Sequence, residues 1–136
     1  MIKKKFIASN INARYGVQFD YYGERMKEDQ QGSPLQEAQR LADLASYQNG
    51  SIVSREIIRK STGTVTFFAF DEGQGLSEHI APFDALIYIV EGKANVTISG
   101  KTISMKEGET VILPANQPHA LNALCKFKML LVMIRS

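Results

Sequence analysis

Two histidines, His79 and His119, are the whole histidine complement of this 136-residue chain. Imidazole titrates nearest neutral pH and is the commonest protein ligand for transition metals. A pair brought together can therefore hold a cation, accept hydrogen bonds from a ligand or move a proton. Each opens onto a stretch punctuated by glycine and proline. The first runs Gly75-Leu-Ser-Glu-His79-Ile-Ala81-Pro-Phe-Asp84-Ala85 and on to Gly92. The second runs Gly108-Glu-Thr-Val-Ile-Leu-Pro114-Ala-Asn116-Gln-Pro118-His119. A single histidine is more often a satisfied interior residue, whereas two in matching surroundings favour a ligand-binding role.

The elements that must position them are strands. From Ser51 onward, short runs rich in Val, Ile, Thr and Phe alternate with glycine-containing turns, the signature of an all-β fold. The expected strands are 52–58, 64–70, 85–90, 94–99, 102–105, 110–113, 120–124 and 127–134. Glu91-Gly92-Lys93 and Ser99-Gly100-Lys101 read as tight hairpin turns, and Glu107-Gly108 as a third turn. Side chains alternate along a strand. If His79 faces inward, Ala81 shares its side, and Ala85, Ile87 and Ile89 form one inward row. His119 shares its side with Leu121, and the last strand adds Met129 and Leu131 or their neighbours. A bulge would shift this parity. Glu78 and Asp84 fall one residue out of step with the inward positions, and Tyr88 has outward parity.

The first fifty residues differ in character. Residues 1–32 show no sustained period and read as an irregular arm. Ser33-Pro34 is a good helix start, and Leu35, Ala38, Leu41, Ala42 and Ala45 follow at helical spacing until Asn49-Gly50 ends the run. The arm carries Tyr15, Phe19, Tyr21 and Tyr22, too many aromatics to leave in water. They are expected to pack on the strands or to meet a second subunit. The expectation is an arm and helix over 1–50, part of the same domain as a β-barrel over 51–136.

The two histidine stretches resemble the two motifs of the cupin family. Counting back from Gly92 puts the first motif's paired histidines at His79 and Ala81 and its glutamate at Ala85. Counting on from Gly108 puts Pro114 and His119 in place. Two of the four usual ligands are present, while Ala81, Ala85, Asn116 and a displaced Asn122 depart from the pattern. The resemblance covers roughly residues 63–134. It implies a mainly β, cupin-type double-stranded β-helix (jelly-roll) barrel with an N-terminal arm and one short helix. It also implies a small-molecule ligand and a homodimer. At His79 and His119 it implies a divalent metal, one of zinc, iron, nickel or manganese. The competing class is a cupin-type enzyme, either a metal-dependent dioxygenase or a metal-free isomerase with a histidine base. A purely structural dimer with a filled barrel is the third.

Composition narrows the field. Apolar residues make up 44% and charged residues 22%, ordinary for a globular protein with a buried core. The net charge of +2 is scattered apart from Lys3 to Lys5, a poor footprint for nucleic acid. No run approaches the roughly 20 apolar residues that cross a bilayer, and Phe6-Ile7-Ala8 is too short for a signal peptide. The lone Cys125 has no intrachain partner, which agrees with a reducing compartment. The expected location is the cytoplasm, with neither nucleic acid nor membrane as partner.

Overall fold

A computed structural model describes residues 36–135 together with the short strand β1 (Lys27–Glu28). The arm aromatics and the expected helix start at Ser33-Pro34 lie outside the described residues. After a 3-10 turn at Leu41–Leu44 come β2 (Ile52–Lys60), β3 (Gly63–Phe70), β4 (Gly75–His79), β5 (Asp84–Ile98), β6 (Lys101–Lys106), β7 (Thr110–Leu113), β8 (His119–Asn122) and β9 (Phe127–Ile134). The fold is mainly β, as the strand pattern requires. No helix among the described residues is long and apolar enough to cross a membrane.

One strand organises the rest. The N-terminal half of β5 pairs with β9 and β7, and β9 continues through β3 and β2 to β1. The C-terminal half of β5 pairs with β6 and β8, and β8 with β4. Every pairing is antiparallel except β1 with β2. Between the halves lies Gly92, expected as a hairpin turn and found instead inside a continuous strand. Its φ of +80° and a register shift between Ile89 and Glu91 bend β5 from one sheet face into the other. A Cβ at Gly92 would collide with the Lys126 carbonyl just before β9, so this corner needs glycine twice over. The Ser99-Gly100 turn is a true hairpin: both residues have positive φ, 49° and 82°, the primed geometry that suits strand twist.

Inside the folded sheet, successive inward residues line up across strands. Gly92, Phe127, Phe70 and Ile52 form the row at the bend, with Phe70 and Phe127 stacked at 4.4 Å between ring centres. Moving away from the bend come the Ile89–Met129–Phe68–Ser54 row, the Ile87–Leu131–Thr66–Glu56 row and the Ala85–Met133–Thr64–Arg59 row. The inward set of Ala85, Ile87, Ile89, Met129 and Leu131 agrees with strand parity, and all five are buried.

The expected helix over the 33–48 region does not form in its described part. Residues 36–40 are exposed and irregular, and only Leu41–Leu44 turns. The segment serves as a strap over the outer face of β2, β3 and β9. Leu44 and Ala45 pack there against Val53, Phe67 and Ala69. Lys128 Nζ donates to the Ala42 carbonyl at 2.6 Å and Arg55 donates to the Leu44 carbonyl at 3.4 Å. An α-helix would have used those carbonyls internally. Short helices are marginal on propensity alone, so packing and these donors decide the conformation.

Candidate functional site

His79 ends β4 and His119 begins β8, and the two are direct cross-strand partners. The β4 strand is absent from the strands expected on periodicity, and it contains the decisive irregularity. Leu76 pairs with Leu121 and His79 with His119, so three steps on β4 match two on β8. That bulge inserts one residue. Without it, alternation from the inward Leu76 would carry Glu78 into the barrel and His79 out. With it, Glu78 is exposed and His79 lies beside His119, rings 4.4 Å apart and inclined at 67°.

The two rings are held alike. His79 Nδ1 donates to the Ser77 carbonyl at 2.8 Å, and His119 Nδ1 donates to the Gln117 carbonyl at 3.1 Å. A carbonyl only accepts, so each neutral ring carries its proton on Nδ1 and keeps the Nε2 lone pair available. Burial lowers the pKa of both histidines below the usual 6.5, and for His119 the neighbouring His79 lowers it further. His119 is 4% exposed. His79 Nε2 is buried without a hydrogen-bond partner among the described residues.

The turn before β8 is built to deliver His119. Asn116 adopts a φ of +64°, a left-handed conformation that asparagine tolerates better than other side-chain-bearing residues. Its departure from the family pattern therefore leaves the left-handed backbone shape attainable. The Asn116 amide donates to the Ala81 carbonyl at 2.7 Å, and the Ala115 amide to Asp84 Oδ1 at 2.8 Å. These bonds tie the turn to the β4–β5 connection. They also commit Asp84, which is exposed, to a structural contact. Ala81 and Ala85 are buried in the apolar core, at 1% and 5% exposure. Periodicity missed Ser54, Glu56, Thr64 and Thr66, polar residues whose alternation with Ile52 and Phe68 places them on the inner face. The S-x-E and T-x-T spacing carried that signal.

A family profile for the Cupin domain matches residues 66–134. The chain belongs to the cupin family. Among solved structures, this cupin is similar to a conserved protein of unknown function from Streptococcus pyogenes. That relative is 33% identical, with a TM-score of 0.72, covering 74% of this chain and 89% of that one. A cupin 2 conserved barrel domain protein from Leptotrichia buccalis is 38% identical, with a TM-score of 0.67, over 69% of this chain and 46% of that one. A cupin superfamily protein from Desulfitobacterium hafniense, 24% identical, shares the fold with a TM-score of 0.72, over 76% of this chain and 94% of that one. None of the curated proteins compared matches the chain.

The cupin family often uses a divalent metal. Here the donor set consists of two neutral imidazoles, one with an orphaned Nε2, and no group of three or more His, Cys, Asp or Glu that could hold a metal occurs among the described residues. Two such donors fit a cation whose remaining positions are filled by water or ligand. They fall short of the three protein ligands of a catalytic zinc centre, and the carboxylate of the two-histidine iron site is missing at Ala85.

Proposed function

We propose that this cupin binds a small molecule inside its barrel, anchored at His79 and His119. The observation that carries the reading is the buried, unpartnered Nε2 of His79 beside His119. A buried acceptor left dry costs stability, and a ligand donor or a cation removes that cost. A divalent cation, were one bound, would be held by His79 and His119 and would supply Lewis-acid attraction for an oxygen or nitrogen of the ligand. The protein's own contribution is to orient both rings through their Nδ1 bonds and to keep them neutral by burial. The enzyme reading has less support: Glu78 is exposed, Asp84 is engaged in the turn, and Tyr88 lies in an outward row, so none of these three stands beside the pair as an acid. We further propose a homodimer located in the cytoplasm, the latter supported by the free Cys125.

The test is elemental analysis of untagged protein after incubation with zinc, iron, nickel or manganese, alongside His79→Ala and His119→Ala. Near-stoichiometric metal lost in both variants supports the two-histidine site. Metal-free protein whose melting temperature still rises with a small molecule, and does so less in both variants, supports the pair as a direct hydrogen-bonding anchor. Failure of both readouts overturns the proposal.

A further inference from the structure

The turn that joins the strap to β2 holds the chain's one Asn-Gly pair, Asn49-Gly50. The chemistry of that pair is intramolecular. The Gly50 nitrogen bonds to Asn49 Cγ and closes a five-membered imide; the Cγ–Nδ2 bond breaks, and Nδ2 leaves as ammonia with the Gly50 amide proton. Water then opens the ring. Hydrolysis at Cγ leaves an aspartate, and hydrolysis at the backbone carbonyl leaves an isoaspartate, whose main chain runs one methylene longer through the former side chain. Every other asparagine precedes a residue with a Cβ, namely Ile11, Ala13, Val96, Gln117 and Ala123, which shields the attacking nitrogen. Glycine leaves it open. Both Asn49 and Gly50 are exposed, and nothing lies within 4 Å of the Cβ position of Gly50.

The fold holds this pair out of the reactive geometry. The Ser51 amide donates to the Gln48 carbonyl at 3.1 Å, closing a four-residue turn, and of its two central residues only Gly50 has a positive φ, +66°. That is a type II turn, in which the position taken by Asn49 has a ψ of about +120°. The Gly50 nitrogen then points away from the Asn49 side chain, whereas ring closure needs the two eclipsed. A second restraint acts on the nitrogen itself. Gly50 N–H donates to Asp71 Oδ2 at 2.6 Å, and the Asp71 amide donates in return to the Ser51 carbonyl at 3.1 Å. Asp71 is 8% exposed, and the bond from Gly50 is the main reason its carboxyl lies below the usual carboxylate range. It is therefore ionised and a firm acceptor at neutral pH. Attack on Cγ requires the Asn49–Gly50 peptide to turn over, which breaks both the turn and the clamp.

We propose that Asn49-Gly50 is a self-modification site that Asp71 and the seated strap hold shut, so that release of the strap is written permanently into the chain. The strap leads directly into the turn. Its hold consists of Leu44 and Ala45 against the outer face, the bonds from Lys128 and Arg55 to its carbonyls, and the bond from Tyr47 to Glu91. Opening such a segment takes less free energy than global unfolding, because the barrel core stays packed. The product then opposes reseating. An aspartate adds a second negative charge to the turn that Asp71 clamps, and an isoaspartate lengthens a turn whose ends the Gln48–Ser51 bond fixes.

The experiment incubates the full chain in mildly alkaline buffer made with oxygen-labelled water. Peptide mass mapping reads the labelled carboxylate site by site, with Asn95, Asn116 and Asn122 as internal references. Wild type is followed folded and in guanidinium, beside Asp71→Ala, Leu44→Ala and Leu131→Ala, each checked for folding by far-ultraviolet circular dichroism. Conversion at Asn49 is expected to run roughly a hundredfold slower in folded wild type than in guanidinium, where Asn49 outpaces the references. Asp71→Ala should raise the folded rate roughly tenfold, the loss of one charge-assisted bond. Leu44→Ala, which loosens the strap, should raise it by a similar factor. Leu131→Ala, an equally buried leucine of the barrel core, should leave it near wild type. If Asp71→Ala does not fold, Asp71→Asn takes its place, of equal shape but uncharged, with a smaller rise expected. Folded wild type converting as fast as the unfolded chain overturns the proposal, as does an Asn49 no faster than the references in guanidinium. An unchanged rate in the Asp71 variant overturns the clamp. Equal acceleration in Leu44→Ala and Leu131→Ala overturns the role of the strap, since the site then opens only with the whole fold.

Discussion

His79 and His119 give this fold an acid-sensitive contribution to stability. Burial depresses both imidazole pKa values in the folded chain, whereas the unfolded chain protonates near 6.5. The unfolded state therefore binds protons more readily, and the stability associated with neutral histidines is present above about pH 6.5 and is lost as pH falls through the depressed folded values. Glu56 acts in the opposite sense. Burial raises its pKa, against a smaller lowering by Arg59, so its ionisation destabilises the folded state as pH rises from the usual 4.5 through the raised value. We expect the melting temperature of Glu56→Gln to fall steadily from pH 7 to pH 5, and the fall to shrink when His119→Gln is added. An equal slope in the double variant would show that the acid sensitivity lies elsewhere.

At the scale of elements, the strap and the bend carry the same lesson from opposite directions. Of Leu41, Ala42 and Ala45, which have helical spacing, only Ala45 is buried, and the outer face buries with it Leu44, which lies off that stripe, at 1% exposure. Its truncation in Leu44→Ala should cost about 2 to 4 kcal/mol of unfolding free energy, as for other buried leucines. Tyr47→Phe should cost about 1 kcal/mol or less. It removes only the 2.6 Å bond from the tyrosine hydroxyl to Glu91 Oε2 and leaves the ring beside the Lys126 and Lys128 ammonium groups. Denaturant titration distinguishes a strap held by Leu44 from one that is incidental, for which both variants would match wild type. Much of the sheet was legible in the sequence. Alternation gave the inward row from Ala85 to Ile89, and the Ser99-Gly100 turn fell where expected. The hairpin expected at Gly92 gives way to a bend because a positive φ suits a hairpin and a strand-bending bulge equally, and only the close approach to β9 distinguishes them. The pairing of His79 with His119 followed from the motif, whereas the bulge that turns His79 inward has no local sequence marker: Ser77-Glu78 alternates as any strand would.

Among the described residues of the whole molecule, an outer row is left exposed at both ends. On the face away from the barrel interior, Ile58, Val65, Val132, Leu86 and Ile112 align in register across β2, β3, β9, β5 and β7. The strap covers the neighbouring rows, where Phe67 and Ala69 are fully buried, yet Ile58 and Ile112 at the two ends of this row are each 50% exposed. A continuous apolar stripe crossing five strands is a natural self-association surface, because two copies related by a two-fold axis can lay the stripes across each other. Charge placed at its ends should block that contact while leaving the monomer's core untouched. Wild type is expected to run at twice the 15.1 kDa chain mass in light scattering at micromolar concentration, and Ile58→Lys with Ile112→Lys at the single mass with an unchanged far-ultraviolet spectrum. Wild type at the single mass would remove the dimer. A charged variant that stays dimeric would move the interface off this stripe, either to the exposed Ile80, Leu124 and Ile134 or to the segment that carries Tyr15, Phe19, Tyr21 and Tyr22.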